Sequence, residues 1–200
     1  MNLLSNKFPT KELQMRDAAH HMHPFTSQAE LSEKGARVIT SANGVFVYDS
    51  EGEEILDAMA GLWCVNIGYG RPELAEVAAR QMKELSYYNT FFQTTHVPAI
   101  ELAEKLAELA PFDLNHLFFA SSGSEANDTN IRLVRHYWAL KGKPNKSIII
   151  SRNNAYHGSS VGSGSLGGMS AMHDQGGMPI PDIHHINQPN WWSEGGDMSS

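Results

Sequence analysis

The stretch Leu117-Phe118-Phe119-Ala120, followed by Ser121-Ser122-Gly123-Ser124 and a helical run from Glu125 to Lys141, constrains the fold more than any other segment. Four apolar residues bounded by small polar ones read as a buried strand. In the run behind the turn, Ile131, Val134 and Trp138 share one helical face and Leu133, Tyr137 and Leu140 another, which predicts a helix covered on two sides. Gly142 and Pro144 end it, and Ser147-Ile148-Ile149-Ile150 is a second continuous apolar strand. Strand, helix and strand over this length predict a right-handed crossover of a parallel sheet, hence an α/β fold. The turn has chemistry of its own. A strand end passing into a helix through hydroxyl residues and a glycine leaves backbone N–H groups pointing outward, and the helix start adds about half a positive charge. Phosphate is the anion that suits it. An ordinary N-cap at Ser122 or Ser124, with Glu125 in the first turn, explains the same residues without a ligand.

Upstream, Thr10 is placed to N-cap a short helix over Lys11 to His20, with Pro24 excluding helix at His23, and an arm-like segment follows. From Arg37 to Ala58 the apolar period becomes two, with turn signals at Asn43-Gly44 and Ser50-Glu51-Gly52, which predicts a three-stranded meander. After Gly68-Tyr69-Gly70, Pro72 stands at a first helical position, and Leu74, Val77, Ala78, Met82 and Leu85 form a stripe that predicts one buried face. A second amphipathic helix opens near Pro98 and stops at Pro111. Ala99, Leu102, Ala103, Leu106 and Ala110 are expected inward, Glu104 and Glu108 outward, with Glu101 and Lys105 as an i,i+4 pair. Residues 153–200 are rich in Gly, Ser, Asn and Pro. There is no internal repeat and no Lys or Arg cluster.

Charge narrows the partners. With 15 basic against 22 acidic residues in 200, the net charge of −7 lacks the positive excess that collects nucleic-acid phosphates or anionic lipid. No apolar run approaches a spanning helix, and Met1 to Pro9 has no apolar core of a secretory leader, which favours a cytoplasmic protein. A single cysteine, Cys64, forms no internal disulfide or thiolate cage and is expected to be a small buried hydrophobe beside Trp63. No metal site is expected: His20, His21 and His23 precede a proline with no carboxylate evident at ligand spacing, and His184 and His185 invite the same reading.

Two further motifs fail on context. Gly158-Ser159-Ser160-Val161-Gly162 matches the hydrolase pattern G-x-S-x-G, with Asp174 or Asp182 and His184 or His185 downstream. A nucleophile elbow sits immediately between strand and helix, whereas Ser160 lies well past Ile150 and the glycines after it argue against a helix. Gly162-Ser163-Gly164-Ser165-Leu166-Gly167 spells G-x-G-x-x-G, with Asp182 downstream, but no strand feeds Gly162 and no convincing helix leaves Gly167.

Three blocks taken in order are more specific than any motif above. They are Leu62-Trp63-Cys64-Val65-Asn66-Ile67-Gly68-Tyr69-Gly70-Arg71, Ser122-Gly123-Ser124-Glu125-Ala126-Asn127-Asp128, and Ala155-Tyr156-His157-Gly158-Ser159. Together they resemble the class III aminotransferases that use pyridoxal 5'-phosphate, nearest to the ω-amino acid or polyamine:pyruvate branch, from about His20 onward. The resemblance implies the type I fold of pyridoxal-phosphate-dependent transferases, here incomplete. An N-terminal arm and small-domain meander over residues 1–67 would precede the first part of a mainly parallel α/β large domain over residues 68–200. It implies that Ser122, Gly123 and Ser124 hold the cofactor phosphate, that Tyr156 stacks on the pyridine ring, and that His157 supports it. Trp63 would wall the substrate pocket, and Phe25 and Phe91 would line it from the partner subunit of a homodimer. For Tyr156, Phe25 and Phe91 the alternative is ordinary core packing.

The implied reaction moves an amino group from an ω-amino acid, diamine or amine donor to pyruvate, the cofactor acting as electron sink. It needs a Schiff-base lysine and a carboxylate on the pyridine nitrogen. The family carries both well downstream of the Tyr-His-Gly block. The lysines here, 7, 11, 34, 83, 105, 141, 143 and 146, all precede Tyr156. The expectation is an N-terminal part of a longer enzyme, inactive alone, with a loop-like end over Glu194 to Ser200. A non-catalytic or dimerising module and a serine hydrolase using Ser160 are the readings from other classes.

Overall fold

A computed structural model of the chain describes residues 9–195. The leader reading of the first eight residues, Lys7, and the loop-like reading of residues 196–200 lie outside the described residues. The chain divides into two compact units at the Thr95/His96 junction.

In the first unit, α1 (Thr10–His20) is capped by Pro9, whose extended backbone precedes the helix, and not by Thr10. The Thr10 hydroxyl instead lies 2.8 Å from Ser50 Oγ, and Gln14 Nε2 donates to the Ala36 carbonyl at 2.8 Å. A tertiary partner has taken the hydroxyl that the local pattern assigned to a cap. After α2 (Gln28–Lys34), capped by Ser27, the meander forms as its period predicts. Strands β1 (Ile39–Asn43), β2 (Phe46–Asp49) and β3 (Glu54–Leu56) pair antiparallel in that order, with Asn43 opposite Phe46 across the Gly44 turn. The second turn is fixed by buried Asp49, whose Oδ1 accepts from the amides of Glu51 and Glu53 at 3.0 and 2.9 Å.

A short left-handed turn, α3 (Ala60–Trp63), leads to α4 (Pro72–Glu84), which has proline in its first turn as expected. The stripe of α4 is not buried: Leu74, Val77, Met82 and Leu85 are exposed. An amphipathic pattern specifies a face that prefers cover and does not supply the cover.

In the second unit, α5 (Val97–Leu109) also buries no residue, and Lys105 pairs with Glu108 at 2.7 Å where Glu101 was expected. Leu117 to Ala120 carries no strand pairing, and Leu117, Phe118 and Phe119 are exposed. Strand hydrogen bonds need a neighbour, and no described strand lies alongside this run. Helix α6 (Gly123–Leu140) follows. Ile131 is buried, while Leu133, Val134, Tyr137 and Leu140 are exposed, so α6 is covered along part of one side and not on two.

The parallel pair forms between β4 (Ile149–Arg152) and β5 (Ile183–Ile186), in the register Ile149 to Ile183. The crossover therefore follows Ile150 and does not precede it. It runs through α7 (Val161–Leu166) and α8 (Ser170–His173), inside the stretch rich in Gly, Ser, Asn and Pro. Short α9 (Trp191–Glu194) ends the described chain. Among the described residues the buried large apolar side chains are Ile131, Met172 and Ile183, joined by fully buried Ser163 and Ser165, so the core of this unit sits where α6, α7, α8 and β5 meet. No helix among the described residues is long and apolar enough to cross a membrane.

Candidate functional site

The site is built on the start of α6. Ser122, in extended conformation, is its N-cap, and its hydroxyl oxygen accepts from the Glu125 amide at 3.1 Å. Glu125 reaches back so that its carboxylate accepts from the Ser121 amide at 2.8 Å. The Ser122 bond is the N-cap explanation realised, and Glu125 ties down the residue before the cap. It does not consume the turn. A serine hydroxyl has one donor and two acceptor positions, so Ser122 Oγ keeps its O–H while a lone pair serves the helix. The amides of Gly123 and Ser124 lie in the first turn, where no intrahelical carbonyl reaches them. A Cβ placed on Gly123 would meet nothing within 4 Å, so space lies open there.

Ser124 joins this turn to the Tyr156-His157-Gly158-Ser159 block. Its Oγ accepts from the Ser159 amide at 3.0 Å, and three residues on, Asn127 Nδ2 donates to the His157 carbonyl at 2.7 Å. Gly158 has φ 132 and is buried. A Cβ there would collide with Ser163 Oγ and, at 2.6 Å, with Ser124 Oγ, so only glycine lets the loop lie this close. Tyr156 follows the end of β4 with its side chain exposed within this chain.

Beneath the loop, Asp128 of α6 accepts from the Ser163 amide of α7 at 2.7 Å. Ser160 and Ser163 cap α7 reciprocally: the Ser160 amide donates to Ser163 Oγ at 3.1 Å and the two hydroxyls are 2.8 Å apart. That settles Ser160 as a helix cap. Two of the other hydrolase candidates, Asp182 and His185, are also engaged elsewhere. Asp182 accepts from Ser147 Oγ at 2.6 Å, and His185 Nε2 lies 3.3 Å from the Leu166 carbonyl. His173 Nε2 lies 2.8 Å from the Gly167 carbonyl, so two imidazoles sit at the C-terminal carbonyls of α7. The literal G-x-G-x-x-G is thus mostly the body of a helix. Expecting no helix around Gly162 was mistaken because these glycines have buried contacts to make: a Cβ on Gly162 would stand 2.5 Å from Asp128 Oδ1.

Trp63, Phe25 and Phe91 belong to the first unit. None is core there; all three side chains are exposed, as is Cys64, which was expected to be buried. They share a backbone signal invisible in composition. Phe25 has φ 50 and Trp63 has φ 64, while Phe91 directly precedes Phe92 and Gln93 at φ 54 and 66. Left-handed backbone at a bulky residue costs about 1–3 kcal/mol and persists only where surroundings impose it.

Around Trp63 the imposing group is Asp57. Its carboxylate accepts from the amides of Met59 at 3.2 Å and Gly61 at 2.7 Å and from the Tyr69 hydroxyl at 2.7 Å. The Tyr69 hydroxyl first, then these amides, hold the Asp57 carboxyl below its usual 3.8, and the same bond pushes the Tyr69 hydroxyl upward. An aspartate followed by alternating donors was the sequence signal available for this turn, and the motif reading passed over it.

With the geometry established, comparison with known proteins gives the family. Residues 28–196 match the family described as "Aminotransferase class-III". The chain is 59% identical over 199 residues to the putrescine–pyruvate aminotransferase of Pseudomonas aeruginosa, covering all of this chain and 44% of that protein. It is 41% identical to the diaminobutyrate–2-oxoglutarate transaminase of Halomonas elongata, covering 91% of this chain and 39% of that one. Among solved structures, an (S)-enantioselective ω-transaminase from Thermomicrobium roseum superposes with a TM-score of 0.91 at 43% identity, over 95% of this chain and 42% of that one. An ω-transaminase from Pseudomonas jessenii in complex with PMP gives 0.88 at 38% identity, over 90% and 40%. The chain thus spans less than half the length of these relatives, and its α/β fold is the one they share over that span. On the match of its sequence and of its fold alike, the chain belongs to the class III aminotransferases.

Proposed function

We propose that the Ser122-Gly123-Ser124 turn holds the phosphate of pyridoxal 5'-phosphate in a transaminase that moves an amino group from a diamine, ω-amino acid or amine donor to pyruvate. The observation that carries this reading is the position of Ser124, which ties the helix start to the Tyr156-His157 loop through one hydroxyl whose O–H stays available. The donor set fits a phosphate: two serine O–H groups, two first-turn amides and the positive end of an 18-residue helix. When bound, the cofactor supplies the electron sink for the amine's carbon. Tyr156 presents a flat ring that fixes the plane of the pyridine, and the Asn127 bond to the His157 carbonyl keeps that loop on the helix. Identity to a putrescine–pyruvate aminotransferase supports pyruvate as acceptor and a diamine among the donors.

The Schiff-base lysine and the carboxylate on the pyridine nitrogen are proposed to lie outside these 200 residues. In the second unit, Lys141, Lys143 and Lys146 stand at the far end of α6, about 27 Å from Ser122 at 1.5 Å per residue. Lys146 Nζ lies 3.4 Å from the Trp138 ring centroid, and Lys105 is paired with Glu108. On this reading residues 1–200 alone do not transaminate. Trp63 walls the substrate pocket, Phe25 and Phe91 line it from the partner subunit of a cytoplasmic homodimer, and the exposed stripes of α4 and α5 are covered by the rest of the enzyme.

Pyridoxal phosphate retention by the full-length protein, read from its borohydride-sensitive visible band, is the test. Ser124→Ala should weaken retention by about 1–2 kcal/mol, the worth of one lost phosphate hydrogen bond. Unchanged retention would move the phosphate elsewhere, and a colourless protein that still forms alanine from pyruvate would defeat the reading.

A further inference from the structure

The end of α1 carries a cluster outside the aminotransferase site. Asp17 Oδ1 lies 3.0 Å from His21 Nδ1, and Asp17 Oδ2 lies 2.8 Å from His23 Nε2. One ligand atom from each of the three residues lies within 4.8 Å of the other two. The sequence reading that found no carboxylate at ligand spacing therefore needs correction. Asp17 stands one helical turn before His21, and the chain leaving the helix folds His23 back onto the other carboxylate oxygen.

We infer that Asp17, His21 and His23 form a binding site for a late first-row divalent cation of the zinc class, which would fasten the end of α1 to the segment leading into Pro24.

Two imidazole nitrogens and a carboxylate oxygen are the donor set such cations take, with a fourth position left for water. Magnesium and calcium prefer all-oxygen shells. The site is preformed in its backbone: the His21 amide donates to the Asp17 carbonyl at 2.8 Å, and Gln28 Nε2 holds the His23 carbonyl at 3.0 Å. The imidazole rings are 4.3 Å apart between centroids. A tetrahedral ion with bonds of about 2.0–2.1 Å needs its ligand atoms about 3.3 Å apart, so the widest gap, at most 4.8 Å, must close by no more than about 1.5 Å. His21 can supply that movement, because its side chain is 63% exposed while Asp17 and His23 are 22% and 25% exposed. A neutral ring turns its lone pair to the metal by carrying its proton on the outer nitrogen, so binding needs no net proton loss from either imidazole.

The experiment is equilibrium dialysis of the untagged full-length protein against zinc or magnesium ions, with elemental analysis, for the wild type and for Asp17→Asn, His21→Ala with His23→Ala, and His20→Ala. The wild type should retain one more zinc ion than the double variant and no additional magnesium. His20→Ala should match the wild type, and Asp17→Asn, which keeps size and shape, should weaken zinc binding at least about 10–100-fold, the scale already reached when only a ligand's supporting partner is lost. Equal zinc stoichiometry and affinity in the wild type and double variant would overturn the inference. Copper loaded in place of zinc gives a second readout: electron paramagnetic resonance should show coupling to two imidazole nitrogens in the wild type and lose it in the double variant. Coupling to fewer than two in the wild type would also overturn it. Unchanged far-ultraviolet circular dichroism keeps a folding defect from passing for a lost site.

Discussion

Helices α5 and α7 reverse what their sequences promise. α5 has 13 residues drawn mainly from strong helix formers, with a clear apolar stripe, and buries none of them. α7 has six residues, Val-Gly-Ser-Gly-Ser-Leu, a composition that disfavours helix at nearly every position, yet Ser163, Gly164 and Ser165 are buried. Propensity makes α5. Contacts make α7: Asp128 receives its Ser163 amide, Ser160 caps it, Ser165 Oγ accepts from the Ile180 amide at 3.0 Å, and its glycines admit side chains that a Cβ would displace. A helix made of poor formers has a tertiary reason to exist, and here the reason is to carry the Gly158-Ser159 loop against the start of α6.

That contrast can be broken by measurement. Gly162→Ala should have the largest effect, about 3 kcal/mol in urea denaturation, since its Cβ would stand 2.5 Å from Asp128 Oδ1 and 3.2 Å from Ile131 Cδ1, and Asp128 is held by the Ser163 amide. In an isolated helix the same change would stabilise, so a rise in the midpoint would mean that propensity governs α7 after all. Asp128→Ala comes next, at about 1–2 kcal/mol, because it strips a charge-assisted acceptor from the amide of fully buried Ser163. Leu102→Gln on α5 of the 200-residue chain should cost less than about 0.5 kcal/mol, as an exposed site with two good helix formers exchanged. A loss comparable to that of Gly162→Ala would show that the α5 stripe is covered in this chain.

The contrast also shows why some features were legible. The meander was, because its period and its Asn43-Gly44 turn are local. The ends of α4 and α6 were, because Pro72 and Gly142 act on their own backbone. The anion-binding turn was half legible. Ser122 as a cap follows from four consecutive residues, but the link from Ser124 to Ser159 joins positions 35 apart and has no local signature. Asp17, by contrast, stands four and six residues before His21 and His23, a local spacing that the histidine pattern drew attention away from. Among the expectations that failed, a strand at Leu117 to Ala120 and buried faces on α4, α5 and both sides of α6 required a neighbour.

The sequence by itself determined which segments prefer to be helical or extended, where turns interrupt them, and, through three ordered blocks, the family. Those depend on backbone sterics and side-chain periods that act within a few residues. Tertiary structure alone decided that glycines 158 and 162 allow α7 and its loop to close on α6, that Ser124 meets the Ser159 amide, and that β4 pairs with β5. Each of these rests on a hydrogen bond or a van der Waals contact between groups far apart in the chain, and such a contact has an energy only once folding has brought them within reach.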